Sequence, residues 1–269
     1  MRGAIDLHVH CAPDTRPRKM TAIELARAAR AAGMRALLLK NHETSTVPLA
    51  ATVREAVSGI DVFGGLALNE AVGGFNPRAV EVALRMGAAE IWMPTHCAAC
   101  ERAYRGSPDS GLTIYEDGGR IRPALLEILR LIARSGVILG TGHLAPGEIA
   151  DVIRAGREAG VRNFLITHPE ISFLNLSIGF QREIGGPGVY FERCFARAGF
   201  ALDWDGLARS IREIGVETTV LATDLGQPQN PDPVNGLSQI RRELQVRGFS
   251  EGELGIMSGR NPAVLLGLE

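Results

Sequence analysis

The sequence predicts a single α/β domain over residues 1–269, a (β/α)8 barrel of the TIM type with a small hairpin insertion after its fourth strand. Three observations carry this reading. Short apolar runs alternate with amphipathic helical stretches eight times, which in roughly 250 residues matches a closed barrel better than an open sheet. The runs are almost continuously apolar, as parallel strands covered on both faces require. No G-x-G-x-x-G turn follows the first run, against a dinucleotide-binding sheet.

The elements follow in order. The first strand is AIDLHVH (4–10). The helix after it begins at Thr21 and Glu24, spaced as a capping box, and stops at Gly33. MRALLLK (34–40) is the second strand, and 46–59 a helix with Pro48 near its start. DVFGGLAL (61–68) precedes a helix capped by Asn76 with Pro77 in its first turn, and AEIWMPT (89–95) is the fourth strand. The insertion places a hairpin over 111–122, turning at Asp117-Gly118-Gly119, before a helix opened by Pro123. VILGTGH (137–143), a helix at 147–159 and RNFLITH (162–168) continue the alternation. The segment 171–188 has no clear pattern; VYFE (189–192) is the seventh strand, 203–215 a helix and TTVLATD (218–224) the eighth strand. Two helices, 234–247 and 250–267, close the chain.

The net charge of −1 gives no electrostatic reason to expect nucleic acid or an anionic membrane as partner. A small-molecule substrate is the expected partner, and homo-oligomerisation is left open. No apolar stretch approaches the roughly 20 residues of a bilayer span, and the first residues lack a signal-peptide pattern, so a cytoplasmic location is the default expectation. Four cysteines in so long a chain do not make a disulfide framework.

The six histidines, His8, His10, His42, His96, His143 and His168, all lie at or just past the end of an apolar run. Glu70, Glu192 and Asp224 occupy the same kind of position, and Lys40 ends the second strand. One histidine at a strand end is ordinarily a hydrogen-bonded rim residue; all six there is a different observation, because helices and loops make up most of the chain and hold none. In a barrel those ends meet on one face, which carries the active site. Strand residues i and i+2 share a side, so His8 and His10 point into the barrel, Val9 points to the helices, and the two imidazoles can chelate one divalent ion. Imidazole with carboxylate suits zinc first, with manganese or iron as alternatives. A catalytic zinc keeps about three protein ligands and an open position, and His143, His168 and Asp224 could complete one or two such sites.

With DLHVH (6–10), GTGH (140–143), ITHPE (166–170), ATDLG (222–226) and the ending SGRNPAVLLGL (258–268) in order along the chain, the sequence resembles the amidohydrolase superfamily of metal-dependent hydrolases. The resemblance implies that His8, His10 and Asp224 bind the more buried of one or two ions, and that His143 and His168 bind a second or orient substrate and water. It also implies that Asp224 takes the proton of the attacking water. Many relatives bridge two ions with a carboxylated lysine or a glutamate on strand four. Here strand four ends in MPTHCAAC (93–100), with His96 but neither residue, and Lys40 and Glu70 are the available substitutes. A partial second resemblance, carried by DLHVHCAPD, LLLKNHE and GLALNE, is to PHP phosphoesterases and would make His42 and Glu70 ligands. That family usually ends in Asp-x-His, where this chain has Asp224-Leu225-Gly226.

The expected function is hydrolysis of an amide, cyclic amide, ester or lactone of a small molecule, with Asp224, His143 and His168 as the catalytic group. The alternatives are a PHP-like phosphoesterase or a barrel that binds metal or ligand without catalysis. Cys97 and Cys100 read as packing or rim residues. Lys40, Glu192 and Arg182 are candidate substrate contacts, Glu192 alternatively holding a histidine tautomer. Arg102, Arg105 and Arg182 fall in loops over the expected mouth and could hold an anionic substrate, though solvated surface arginines are the favoured reading. The segments 97–122 and 171–188 are the expected substrate-shaping loops.

Overall fold

Eight parallel strands pair in chain order: β1 Ile5–His10, β2 Ala36–Lys40, β3 Asp61–Ala67, β4 Glu90–Trp92, β5 Ile138–Gly140, β6 Phe164–Ile166, β7 Val189–Arg193 and β8 Thr219–Leu221. The computed structural model describes residues 1–196 and 199–269. Beyond β8 the chain returns to β1: Asp224 N–H donates to the His8 carbonyl at 2.8 Å and His10 N–H to the Leu225 carbonyl at 2.8 Å. These bonds nearly close the barrel as the eightfold alternation requires. Most strands are shorter than the apolar runs, because the last residues of each run leave the ladder to form the mouth.

The helices are α1 Ala22–Ala31, α2 Val47–Ala56, α3 Pro77–Arg85, α4 Ala99–Tyr104, α5 Pro123–Ser135, α6 Pro146–Ala159, α7 Ile178–Ile184, α8 Trp204–Ile214, α9 Pro233–Val246, α10 Glu251–Gly255 and α11 Asn261–Leu265. The capping box at Thr21 and Glu24 is formed, and Asn76 caps α3 through its side chain. The expected closing helix over 250–267 is α10 and α11 joined through a π-helical turn at Ile256–Arg260. No helix among the described residues is long and apolar enough to cross a membrane.

The insertion departs from expectation. It contains α4, and the hairpin is reduced to one antiparallel bridge between Tyr115 and Ile121. The cause is Glu148 on α6. Its carboxylate accepts the Thr113 hydroxyl at 2.6 Å and the Ile114 N–H at 2.9 Å, taking bonds that a partner strand would have made. The patternless segment 171–188 holds α7, capped by Ser177.

Apolar side chains fill the barrel below the mouth: Ile5, Leu7, Leu38, Trp92, Leu165 and Val220 pack together, with Ala263 and Leu265 of α11 among them. Trp92 is fully buried, and Gly140 makes room for it, since a Cβ there would lie 2.4 Å from the indole.

β1 breaks its own alternation. Its pairing with β2 runs Asp6↔Leu37 and then Val9↔Leu39, so β1 carries one extra residue, a β-bulge at Leu7–His8. Below the bulge Ile5 and Leu7 face the barrel interior. Above it Val9 packs outside against the helix layer, while His8 and His10 line the mouth. A strand in strict alternation could place Leu7 or His8 inside, but not both.

Candidate active site

All six histidines line one cavity of about 470 Å3 at the C-terminal ends of the strands, together with Lys40 and Asp224. Expectation and structure agree on that placement.

Among the described residues, two groups of buried residues could hold a metal, each with its ligand atoms within 4.8 Å of one another: His8, His10 and Asp224, which face the cavity, and His8, Glu192 and Cys194. Asp224 Oδ1 is 3.1 Å from His8 Nε2 and 3.2 Å from His10 Nε2. Glu192, on β7 and fully buried, accepts from His8 Nδ1 at 3.0 Å. That bond puts the His8 proton on Nδ1, so Nε2 turns a lone pair toward Asp224 and has no hydrogen-bond partner of its own. Two lone pairs facing one another in a buried site repel, and a cation between them removes the conflict. Burial and Lys40 lower the His8 pKa, but Glu192 and Asp224 outweigh both and leave it above the ordinary value. The site therefore attracts positive charge at this point. On His10, Nδ1 lies 3.3 Å from the Arg18 guanidinium, which can only donate. The His10 proton thus sits on Nε2, and a cation taken there would displace it. Burial, ahead of every other influence, holds the His10 pKa down at about 3.

Across the cavity His143 Nε2 and His168 Nε2 stand 3.2 Å apart. Glu101, from the insertion helix α4, bonds His143 Nδ1 and leaves Nε2 as the inward-facing lone pair. Glu101 is buried, yet its carboxyl stays down at about 2; burial pushes it up, and the bonds to His143 and Arg105 more than reverse that. The His143 and His168 pKa values are lowered chiefly by burial. His168 and Asp224 adopt positive φ, 27° and 51°, at the ends of β6 and β8. Such backbone is costly for non-glycine residues and concentrates at functional sites. The donor set, neutral imidazoles with one carboxylate and each of two imidazoles braced by a second carboxylate, fits a divalent metal centre.

The remaining candidates are placed as follows. Lys40 ends β2 inside the cavity, 1% exposed; its Nζ has no hydrogen-bond partner and sits 5.1 Å from the centre of the Trp92 ring. Burial lowers its pKa. His42 stacks on His10 with ring centroids 4.9 Å apart. Asn69 holds the hydroxyl beside it: Asn69 Oδ1 accepts the Thr95 N–H at 2.9 Å, its Nδ2 donates to Thr95 Oγ1 at 2.6 Å, and His42 Nδ1 is hydrogen-bonded to that same hydroxyl at 2.8 Å. His96 lies 3.3 Å from Glu43 at the rim.

The structure does not bring Glu70 or Arg182 to the cavity. A 3-10 turn at Glu70–Val72 carries Glu70 outward to a 2.6 Å ion pair with Arg102, and it is exposed. Arg182, on α7, is exposed and pairs with Glu213 of α8 on the outer surface. Sequence reasoning missed Glu101, whose only signal was a carboxylate in a short helix without a capping side chain. It also missed Arg16 and Arg18 at the mouth, on the loop after β1.

A family of unknown function (DUF6282) matches residues 3–192. No curated protein matches the chain by sequence. Among solved structures, an amidohydrolase from Pseudomonas aeruginosa superposes with a TM-score of 0.69 at 13% identity, covering 98% of this chain and 95% of that one. The organophosphorus hydrolase of Deinococcus radiodurans gives a TM-score of 0.63 at 19% identity, over 98% and 92% of the two chains. A 2,6-dihydroxybenzoate decarboxylase from Rhizobium gives 0.58 at 12% identity, over 100% and 99%. At such identities the likeness is one of fold, that of the amidohydrolase-type barrel.

Proposed function

The chain belongs to the family of unknown function DUF6282, and from its amidohydrolase-type barrel and the geometry of its mouth we propose that it is a metal-dependent hydrolase of small molecules, cleaving an amide, cyclic amide, ester or lactone. The observation that carries the reading is the cluster of His8, His10 and Asp224, with the orphaned His8 Nε2 turned on the carboxylate. Zinc is the proposed ion, as one or two atoms, held by His8, His10 and Asp224 and, for a second, by His143 and His168.

When bound, such an ion supplies a water acid enough to ionise near neutral pH. The chain does the rest. Asp224, at the cavity wall, would hold a proton at its carboxylate and deliver it to the leaving group. Glu192 and Glu101 hold His8 and His143 with their Nε2 atoms inward. The Lys40 ammonium is a donor for the oxygen on which charge develops. Phe173, packed against His143 with ring centroids 5.1 Å apart, limits access of bulk water from that side.

The PHP-like reading is less well supported, because it needs His42 and Glu70 as ligands. Glu70 lies outside the cavity, in an exposed ion pair with Arg102. The fold is also compatible with decarboxylation, so the test must separate the two reactions. Metal analysis of protein purified without chelator should find a divalent ion, lost in His10→Ala and Asp224→Asn. Turnover of an ester, lactone or amide panel in 18O-water should place one labelled oxygen in the acid product. Finding no ion, or carbon dioxide release without label, would sink the hydrolase reading.

A further inference from the structure

The charged groups of this cavity do not balance. The carboxylates in its lining already have hydrogen-bond partners: Asp224 has His10, and Glu101 has His143 and Arg105. Asp14 is next but one to Arg16 in sequence, yet it does not neutralise that residue. Its Oδ2 accepts from Arg18 at 2.7 Å, and its Oδ1 accepts the Thr15 hydroxyl at 3.3 Å and the Arg16 backbone N–H at 3.1 Å. Lys40, buried on the floor without a hydrogen-bond partner, has the carboxylates of Glu192, Asp224 and Glu90 acting on it. One cation is left over. Arg16 lines the mouth, and its guanidinium has neither an ion-pair nor a hydrogen-bond partner among the described residues.

The Arg16 guanidinium is carried on a fixed loop. Ala12 N–H donates to the Met20 carbonyl, Ala22 N–H to the Ala12 carbonyl, and Lys19 N–H to the Gly226 carbonyl, at 2.8, 2.9 and 2.8 Å. The loop is thus pinned to both α1 and the turn after β8. Arg18 braces it from below. The opposite wall, Ile171 and Phe173 on the loop after β6, is apolar.

Resting on the hydrolase reading above, we propose that the substrate is a small anion, carrying a carboxylate or phosphate that Arg16 holds at the mouth, with its apolar part against Ile171 and Phe173. Neutral analogues of the same shape leave Arg16 without its partner and bind less well. A planar guanidinium suits either anion, since both offer two oxygens to its paired N–H groups.

The test is calorimetric binding of three probes, benzoate, phenyl phosphate and benzamide, to the protein as purified, with metal content measured in every sample. Benzoate or phenyl phosphate should bind and benzamide should not. Arg16→Ala should weaken the anions by about tenfold or more, at unchanged metal content and melting temperature, and Arg16→Lys should restore part of the loss. Whichever anion binds more tightly names the source of the charge. Binding of neither anion, benzamide binding as tightly as the better-bound anion, or anion binding that ignores Arg16→Ala overturns the proposal. Arg16-dependent anion binding by a protein without metal would uphold it while removing the hydrolase reading.

Discussion

The Asp6 carboxylate accepts the backbone N–H of His8 at 3.1 Å, and the same group accepts the Thr223 N–H at 3.0 Å and the Thr223 hydroxyl at 2.7 Å. The His8 N–H is the one that the β1 bulge takes out of register with β2. Asp6 thus satisfies the bulge and ties it to β8, one residue before Asp224. It is fully buried, and burial lifts its pKa to about 7 against the pull of these bonds.

Asp6→Ala should therefore be costly at two levels. It strands buried donors, each worth about 1–3 kcal/mol when unmade and not additive, so a loss of about 3 kcal/mol is expected by denaturant unfolding. It should also reduce bound metal, because His8 and Asp224 lose their common anchor. Asp6→Asn keeps the acceptor for the His8 N–H and should fall between wild type and alanine. An alanine variant with native stability and full metal content would contradict this role.

Much of the site was legible because its residues sit at strand ends, where apolar runs stop and polar residues begin. His8, His10, His143, His168 and Asp224 all announce themselves in that way. The bulge does not. IDLHVH reads equally well as one regular strand, and only pairing with β2 shows that Leu7 and His8 face the same side. Glu70 also follows a strand, but a 3-10 turn rotates it outward, and that rotation depends on local backbone with no residue pattern of its own. Glu101 reaches His143 from a six-residue helix in the insertion, a contact set by tertiary packing across 42 positions.

In the proposed centre at His8, His10 and Asp224, Glu192 would act on the ion through its bond to His8 Nδ1. Glu192→Gln retains an acceptor for Nδ1 but loses the charge. Metal affinity should fall by about tenfold to a hundredfold, the range for groups that orient a ligand. Competition with a chromophoric chelator measures it. Glu192→Leu, which removes the acceptor, should be worse than glutamine; the reverse order would show that the carboxylate does not orient His8.

Glu70→Ala and Arg182→Ala should do very little. Both side chains form exposed ion pairs outside the cavity, and such pairs contribute about 0–1 kcal/mol. Metal content and turnover should match wild type within error, and melting curves should nearly coincide. Loss of metal in Glu70→Ala would return that residue to the ligand set, and with it the phosphoesterase reading.

The turn after β8 leaves no room for a side chain at Gly226. Its φ is 143°, and a Cβ there would lie 2.0 Å from the His10 carbonyl oxygen and 2.8 Å from the His10 Cβ. Backbone cannot be displaced as cheaply as the end of a side chain. This turn also accepts the Lys19 N–H that pins the Arg16 loop and follows directly on Asp224 and Leu225. Gly226→Ala must therefore push the loop away from β1, separating Asp224 from His8 and His10 while loosening the mouth. The expected loss is at least about 3 kcal/mol in stability, with bound metal and Arg16-dependent anion binding lost together. Gly255→Ala, where nothing lies within 4 Å of the added Cβ, is the matched control and should keep both. If Gly226→Ala folded normally and kept its metal, the close approach of the β8 turn to His10 would not be what sets the ligand spacing.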